Sequence, residues 1–436
     1  MAAAENAAVP PEACEGRTNP AWLCRGSLTM GIAPPLAPAC QCSGSVERDA
    51  RAAAEATEVQ GTRLTATHPS PPDRAAVTST RKIRIAVVGA GRLGSLHAQK
   101  LAARCDVDLV AVVDPRSEAR GPLAAACRAE ALAEHALLRG KIDAAIIAAP
   151  TLCHHRIALD LIRSGIHVLV EKPLCPTAEE AEQLVHAAHR QGVVLQVGHV
   201  ERFNPAFAIV ERHTPRYIEA TRAAPYAFRS MDVGVVLDLM IHDLDLVLAL
   251  ARSPIQRVDA LAMPVLGPYE DVAQARLEFA SGCVANLLAS RVNFETVRRL
   301  HLWGPEGFAA VDLANRHATV VRYSAAVQAG QLDALTLAAE PPAHRETVLS
   351  EHLRRQEHES PTVDALALEQ QDFLESIRLG RAPKVPGEAG RDAVAAAERI
   401  LQQIALRGPA QPPSPLRVVP PPHAPFFVPA QPGVPT

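Results

Sequence analysis

A short run, Ile83 to Val88, apolar but for Arg84, leads straight into Gly89-Ala90-Gly91-Arg92-Leu93-Gly94, and a helix-compatible stretch follows from Ser95 to Ala103. A run so rich in β-branched residues suits a strand buried on both faces. In such a turn one glycine makes it tight, one lets the backbone approach a pyrophosphate, and one packs helix on strand. A second apolar run, Leu109 to Val113, ends on Asp114, twenty positions after Gly94. A carboxylate there can accept hydrogen bonds from a ribose diol, and the helix start offers phosphate its unpaired N–H groups and positive dipole end. Strand, turn, helix and acid-ended strand agree on a dinucleotide site built from Gly89, Gly91, Arg92, Leu93, Gly94 and Asp114. Asp114 disfavours a 2′-phosphate and so favours NAD, while Arg116 nearby leaves NADP open.

At 436 residues the chain exceeds the usual size of one domain, and its 48% hydrophobic content can build more than one core. A formal net charge of −3 gives no global attraction for nucleic acid or anionic membrane. No run of eighteen apolar residues occurs, so no membrane insertion is expected. Residues 1–80 are rich in Ala, Pro, Ser and Thr without a sustained period, and are expected to be disordered or an overextended start, with Met30 as a later one. MAAAENAAVPPEACEG lacks the basic start and apolar core of a secretory signal. The segment 408–436 is proline-rich and not expected to pack. Of nine cysteines, Cys14, Cys24, Cys40 and Cys42 lie in the first segment; Cys40 and Cys42 lack a second pair or nearby histidines, so no metal site is expected. Cys105, Cys127, Cys153, Cys175 and Cys283 read as small buried hydrophobes, which suits a reducing cytoplasm.

After Asp114 the alternation continues. A helix is expected over Ala119 to Ala136, a strand from Asp143 into the loop at Pro150, and a helix from Arg156 to Ser164. A strand from His167 ends at Glu171-Lys172-Pro173, followed by a helix over Ala178 to Gln191 and a strand over Val193 to Val197. This order implies a doubly wound parallel sheet, a Rossmann domain over 81–198. Loops at the carboxyl ends of such strands line the ligand crevice, so Pro150, His154 and Glu171 to Pro173 should face the cofactor. Beyond His199, strand-like runs follow without intervening helices: Tyr217 to Thr221, Arg257 to Met263, Val272 to Phe279, Cys283 to Ser290 and Arg298 to Trp303. They predict an α+β domain over 199–407 with a largely antiparallel open sheet. A late helix is expected over Thr362 to Leu379, ending at Gly380.

Three features carry the chemistry. Glu171-Lys172-Pro173 ends a strand, Gly198-His199 precedes Arg202-Phe203-Asn204-Pro205, and Asp238 and His242 lie four apart, on one face if helical. With the glycine fingerprint and the segment Glu369 to Arg378, this order resembles the Gfo/Idh/MocA family (glucose–fructose oxidoreductase, inositol dehydrogenase, rhizopine catabolism) from about Lys82 to Leu406. The resemblance implies an NAD(P)-dependent enzyme that moves hydride between a sugar or cyclitol carbon and nicotinamide. It implies Lys172 and His242 as the catalytic pair with Asp238 beside them, and leaves open which takes the proton. Alone, a Glu-Lys-Pro is usually a solvated loop and an Asp-x-x-x-His a surface pair; their order along the chain is what carries weight.

Val197 to Pro205, Asp232 to Leu248 and Ser281 to Val292 further resemble the UDP-N-acetylglucosamine 3-dehydrogenase subgroup, whose 3-keto products are aminated for lipid A. A UDP-sugar brings a pyrophosphate, for which Arg202, Arg222, Arg229 and Arg291 are candidates, with Asn204 beside them. For any single arginine an ordinary ion pair is the simpler expectation. The alternatives are an inositol or free-sugar dehydrogenase, and a dinucleotide-binding regulator without chemistry. Self-association through the open sheet is expected, as in the family.

Overall fold

The structure, a computed structural model, describes residues 81–228 and 233–408. The expectations for residues 1–80, for the tail beyond Gly408 and for Arg229 lie outside them.

The first half alternates as anticipated: β1 (Ile83–Val88), α1 (Arg92–Ala102), β2 (Val107–Val113), α2 (Ser117–Cys127), β3 (Glu130–Leu132), β4 (Ala144–Ile147), α3 (Thr151–Arg163), β5 (His167–Glu171), α4 (Ala178–Gln191) and β6 (Leu195–Gly198). The strands form one six-stranded parallel sheet in the order β3-β2-β1-β4-β5-β6. The order reverses beside β1, so the crevice for a ligand opens at the carboxyl ends of β1 and β4. Helices cover both faces, which is why β4 is apolar throughout and β1 is apolar but for Arg84 near its start, which pairs with Asp143.

Several boundaries differ from the sequence expectation; the helix expected from Arg156, for one, begins five residues earlier, at Thr151. The helix expected over Ala119 to Ala136 stops at Cys127; Arg128 turns left-handed (φ 56°), and the chain makes the short edge strand β3. Its alanine-rich sequence has the propensity to continue, but pairing with β2 wins. Also, α1 begins at Arg92 inside the glycine turn, three residues before Ser95.

The second sheet has eight strands, in the order β14-β13-β12-β11-β7-β10-β9-β8. The intervening elements are α5 (Pro205–Val210), β7 (Tyr217–Ala223), α6 (Ile241–Ala251), β8 (Ile255–Met263), β9 (Val272–Phe279), β10 (Val284–Ser290), β11 (Val297–Gly304), β12 (Gly307–Asp312), β13 (His317–Tyr323), α7 (Ala325–Gln328), α8 (Ala334–Ala339), α9 (Pro342–His352), β14 (Leu353–Glu359), α10 (Ala365–Leu379) and α11 (Gly387–Arg407). Only β7 with β10 pairs in parallel; every other pair is antiparallel. Strands β9 and β10 alternate buried and half-exposed residues, the mark of a sheet with one covered face. On the covered face Ile218, Ala220, Leu277 and Leu287 join Phe207, Leu244, Val247 and Ile400 in one core.

The late helices tie the halves together. Phe373 and Leu374 of α10 are fully buried in the core on the β1 side of the parallel sheet. Helix α11 lays Gly387 and Gly390 against Leu195 and Val197 of β6, where a Cβ at Gly390 would come within 3.1 Å of Val197. Residues from the far end of the chain thereby complete the layer beneath the crevice.

Candidate active site

The glycine turn fits a dinucleotide on its own geometry. Gly89 is left-handed (φ +105°), and a Cβ there would strike the Ala148 carbonyl; a Cβ at Gly94 would strike the Gly89 carbonyl oxygen. By contrast, a Cβ at Gly91 would meet nothing within 4 Å, so this glycine faces open space. No side chain caps the first turn of α1, whose Arg92 and Leu93 are exposed, leaving its N–H groups for an anion. Asp114 is buried at the end of β2, its Oδ2 accepting from the Ala90 N–H at 2.9 Å and its Oδ1 from the Arg116 N–H at 2.9 Å. Burial alone would raise its pKa, but hydrogen bonds from Arg116 and the Ala90 amide outweigh it and hold the carboxylate down. A cavity of about 30 Å³ lies between Gly89, Asp114, Ala149 and Pro150. A far larger one, about 390 Å³, lies between the ends of α4 and α10, away from Lys172, and bears on none of these groups.

Lys172 follows β5, and its peptide bond to Pro173 is cis. Its Nζ donates to the Asp238 carbonyl at 2.7 Å and lies 3.5 Å from Asp238 Oδ1. Asp238 sits in a π-helical turn, Val236–Met240, that leads into α6. Such turns break the regular i→i+4 ladder and recur at functional sites; here the Asp238 carbonyl receives the ammonium. Glu270 pins the turn by accepting from the Val235 and Val236 N–H groups. Burial pushes the Lys172 pKa down, opposed by Asp238 and Glu171.

One helical turn on, the His242 Nδ1 is buried without a partner. Burial first, and then the charges of Lys172, Arg222 and Arg298, hold its pKa well below the ordinary imidazole range. The His199 ring stands edge-on to it with centroids 6.5 Å apart. His199 is 1% exposed with neither ring nitrogen bonded, and burial with nearby Lys172 and Arg202 brings its pKa to about 3. Two neutral imidazoles and the Lys172 side chain therefore share this end of the cleft.

Several expected ligand contacts are instead engaged within the protein. His154 is buried with Nδ1 2.9 Å from the Pro173 carbonyl and Nε2 2.8 Å from that of Ala149, so it braces two crevice loops against each other. Glu171 pairs with His97 at 2.8 Å and also accepts from the Lys172 N–H at 3.3 Å. Asn204 caps α5: its Oδ1 accepts from the Ala206 N–H, while its amide donates to Glu201 and to the Leu313 carbonyl. Arg222 is buried, donating to both Asp243 oxygens and, at 2.9 Å, to Glu201. Burial opposes its charge, but the two carboxylates overcome this and push its pKa up. Arg291 donates to Asp271 at 2.6 Å and to the Val233 carbonyl. Arg202 lies 3.6 Å from Asp245 and donates to the Lys384 carbonyl at 3.4 Å. Each arginine lost to an internal partner does so because tertiary packing brings a buried carboxylate beside it, from α6 for Arg222 and Arg202 and from the residue before β9 for Arg291, and sequence spacing carries no trace of that. Cys105 is exposed, against expectation, because it falls in the turn after α1; Cys127, Cys153, Cys175 and Cys283 are buried.

Arg298, at the start of β11, went unnoticed in the sequence. Its side chain is half exposed, 3.4 Å from Glu201, and its charge is felt at His242. Nothing but the pairing of β11 with β7 brings it there. Among the described residues, His97, Glu171 and Glu369 also place one possible ligand atom each within 4.8 Å of one another. Burial and the Glu171 charge push the Glu369 carboxyl pKa well up. His97 is itself tied between Glu171 and Gln370.

Residues 83–199 match the oxidoreductase family with an NAD-binding Rossmann fold, and residues 206–310 match the Gfo/Idh/MocA C-terminal domain. Over 321 residues the chain is 35% identical to UDP-N-acetylglucosamine 3-dehydrogenase of Acidithiobacillus ferrooxidans, covering 73% of this chain and 96% of that one. This chain belongs to the Gfo/Idh/MocA family. A solved structure of the same A. ferrooxidans enzyme superposes with a TM-score of 0.66 at 33% identity, covering 75% of this chain and 99% of that one. A scyllo-inositol 2-dehydrogenase (NAD(+)) of Bacillus subtilis is 32% identical over 55% of this chain and 77% of its own length. Family membership makes the protein an NAD(P)-dependent sugar or polyol dehydrogenase.

Proposed function

We propose that the protein oxidises the 3-hydroxyl of UDP-N-acetylglucosamine with NAD as acceptor. The observation that carries the chemistry is a neutral imidazole and a lysine ammonium sharing one buried cleft beyond β5. Oxidising a secondary alcohol removes a proton from oxygen and a hydride from carbon, and a free alkoxide is too basic to form in water. His242 takes the hydroxyl proton, and its depressed pKa keeps the accepting form present at neutral pH. The Lys172 ammonium, oriented by Asp238, stabilises the charge developing on that oxygen. Bound at Gly89, Gly91 and Gly94, NAD supplies the ring that accepts the hydride. The buried Asp114 carboxylate supports NAD over NADP, since a 2′-phosphate beside it would be repelled.

Support for the nucleotide sugar comes from the relative that matches both halves of the chain over 96% of its length. The 3-keto product suits an amination step, and with it a place in making lipid A. No helix among the described residues is long and apolar enough to cross a membrane. Five free cysteines among the described residues support a cytoplasmic setting. The open face of the second sheet carries Tyr217, His301, Trp303 and Phe308 stacked on one another, which supports pairing of two copies there.

NADH formation with a sugar panel tests the assignment. UDP-N-acetylglucosamine should be turned over, with little activity on N-acetylglucosamine or myo-inositol, because pyrophosphate contacts help position C3. Equal or better activity on myo-inositol would remove the nucleotide sugar and leave a cyclitol dehydrogenase.

A further inference from the structure

We propose that His97, fixed by Gln370, is a positioning residue for the hydride-transfer step: it locks the Glu171 carboxylate, which in turn holds Lys172. The inference rests on the reading of Lys172 as the group that stabilises the developing alkoxide. His97 lies on α1, one turn beyond Gly94, and is fully buried; a polar ring there is costly unless its nitrogens are paired. Gln370, equally buried, comes from α10 near the far end of the chain.

The hydrogen bonds fix the tautomer. The Gln370 amide nitrogen lies 3.3 Å from the His97 carbonyl oxygen, which can only accept, so the nitrogen and not the amide oxygen is turned to this residue. The same nitrogen stands 2.9 Å from His97 Nδ1, so Nδ1 accepts. The ring proton is therefore on Nε2, which donates to Glu171 Oε1 at 2.8 Å. Both ring nitrogens are engaged within the protein, and neither is left for a metal ion.

Glu171 sits at the centre of this network. Its Oε2 accepts from the Lys172 N–H at 3.3 Å and lies over Gly198, where a Cβ would come within 2.8 Å of it. Glu369 of α10 brings a second carboxyl within 4.8 Å, fully buried and with neither oxygen hydrogen-bonded. Two carboxyls so close in a dry site compete for charge, and hydrogen-bond donors favour the charged form of the acid they reach. The His97 and Lys172 N–H groups both reach Glu171, which keeps the charge on the acid next to the lysine. His154 of α3 and His199 after β6 also face Glu171. Around Lys172 stand Asp238, His242, His199 and Arg222; Asp238 and Glu171 support its ammonium, while burial and Arg222 oppose it. Because α1 starts in the glycine turn, one helix serves both the cofactor site and the lysine.

Steady-state rates against pH, with whichever sugar of the panel yields NADH, test the proposal. His97→Leu keeps the bulk but removes the donor, whereas His97→Gln returns an amide N–H toward Glu171. In His97→Leu kcat should fall about tenfold or more while NADH affinity changes little. The alkaline limb of kcat/KM should also move to lower pH, because Lys172 loses the support of a charged Glu171. His97→Gln should recover most of both effects. An unmoved alkaline limb in a folded His97→Leu would overturn the proposal, since packing alone would then account for the histidine. Equal effects in the Leu and Gln variants would overturn it too. If circular dichroism shows that His97→Leu does not fold, Gln370→Met carries the test: it frees the tautomer and should move the same limb in the same direction, and an unmoved limb would again overturn the proposal. Near-normal turnover in Lys172→Ala would instead remove the reading of Lys172 on which it rests.

Discussion

Lys172 and His242 owe their chemistry to burial more than to identity. Desolvation lowers both pKa values: the imidazole is kept in its accepting form, while for Lys172 the charges of Asp238 and Glu171 oppose the desolvation. Replacing Lys172 with Ala should leave NAD binding nearly intact, since the contacts proposed for ribose and pyrophosphate are at Gly89 to Gly94 and Asp114. Turnover should fall by about two orders of magnitude or more. Fluorescence titration with NADH and steady-state rates check the two halves; near-normal turnover would take Lys172 out of the mechanism. The pH profile of kcat/KM should reflect the same shifts. Its acid limb, from His242, should lie below the ordinary histidine range, and its alkaline limb, from Lys172, below the ordinary lysine value.

At the scale of elements, the glycines of the β1–α1 turn make separable predictions. Gly94→Ala forces a methyl onto the Gly89 carbonyl, so α1 must shift; a loss of about 1–3 kcal/mol of stability is expected by chemical denaturation. Gly91→Ala meets nothing in the folded chain, so stability should hold while the methyl occupies space needed by the pyrophosphate. NAD affinity should drop about tenfold or more, a cost near 1.4 kcal/mol. If Gly91→Ala bound NAD as tightly as wild type, the pyrophosphate would not pass over this turn. The π-helical turn before α6 belongs to the same scale. Spacing alone put Asp238 and His242 on one face, yet the turn presents a carbonyl, not the carboxylate, as the closer partner of Lys172.

For the molecule as a whole, buried titratable groups set the response to acid. His199 has a pKa of about 3 folded, against about 6.5 unfolded. Between those values the unfolded chain binds a proton that the folded one refuses. Its contribution to stability is therefore complete above pH 6.5 and is lost as pH falls toward 3. Asp245 acts in the opposite sense: burial raises its pKa to about 7, so its contribution is present below the ordinary carboxylate range and lost as pH rises through 7. Comparing a variant with wild type isolates one group from the other. His199→Gln should narrow the stability gap between pH 8 and pH 5 by about 2 kcal/mol, measured by urea unfolding at both. An unchanged gap would mean that His199 is protonated in the folded protein.

Much of this protein was legible in the chain itself, because some constraints are local. A glycine turn between a buried strand and a helix, an acid closing the next strand, and apolar runs at regular spacing are dictated within a few residues, and all of them stand in the parallel sheet. Strands β12, β13 and β14 were not foreseen, because strand pairing is long-range and their half-exposed sequences leave only a weak period. The fate of the arginines was equally hidden. Whether a guanidinium meets substrate or a carboxylate depends on what packing sets beside it: Asp243 of α6 for Arg222, Asp271 for Arg291, and Asp245 of α6 for Arg202. Residue types at their spacing determined which groups could do chemistry; only tertiary packing, by choosing each group's neighbours and its share of water, decided which ones are free to do it.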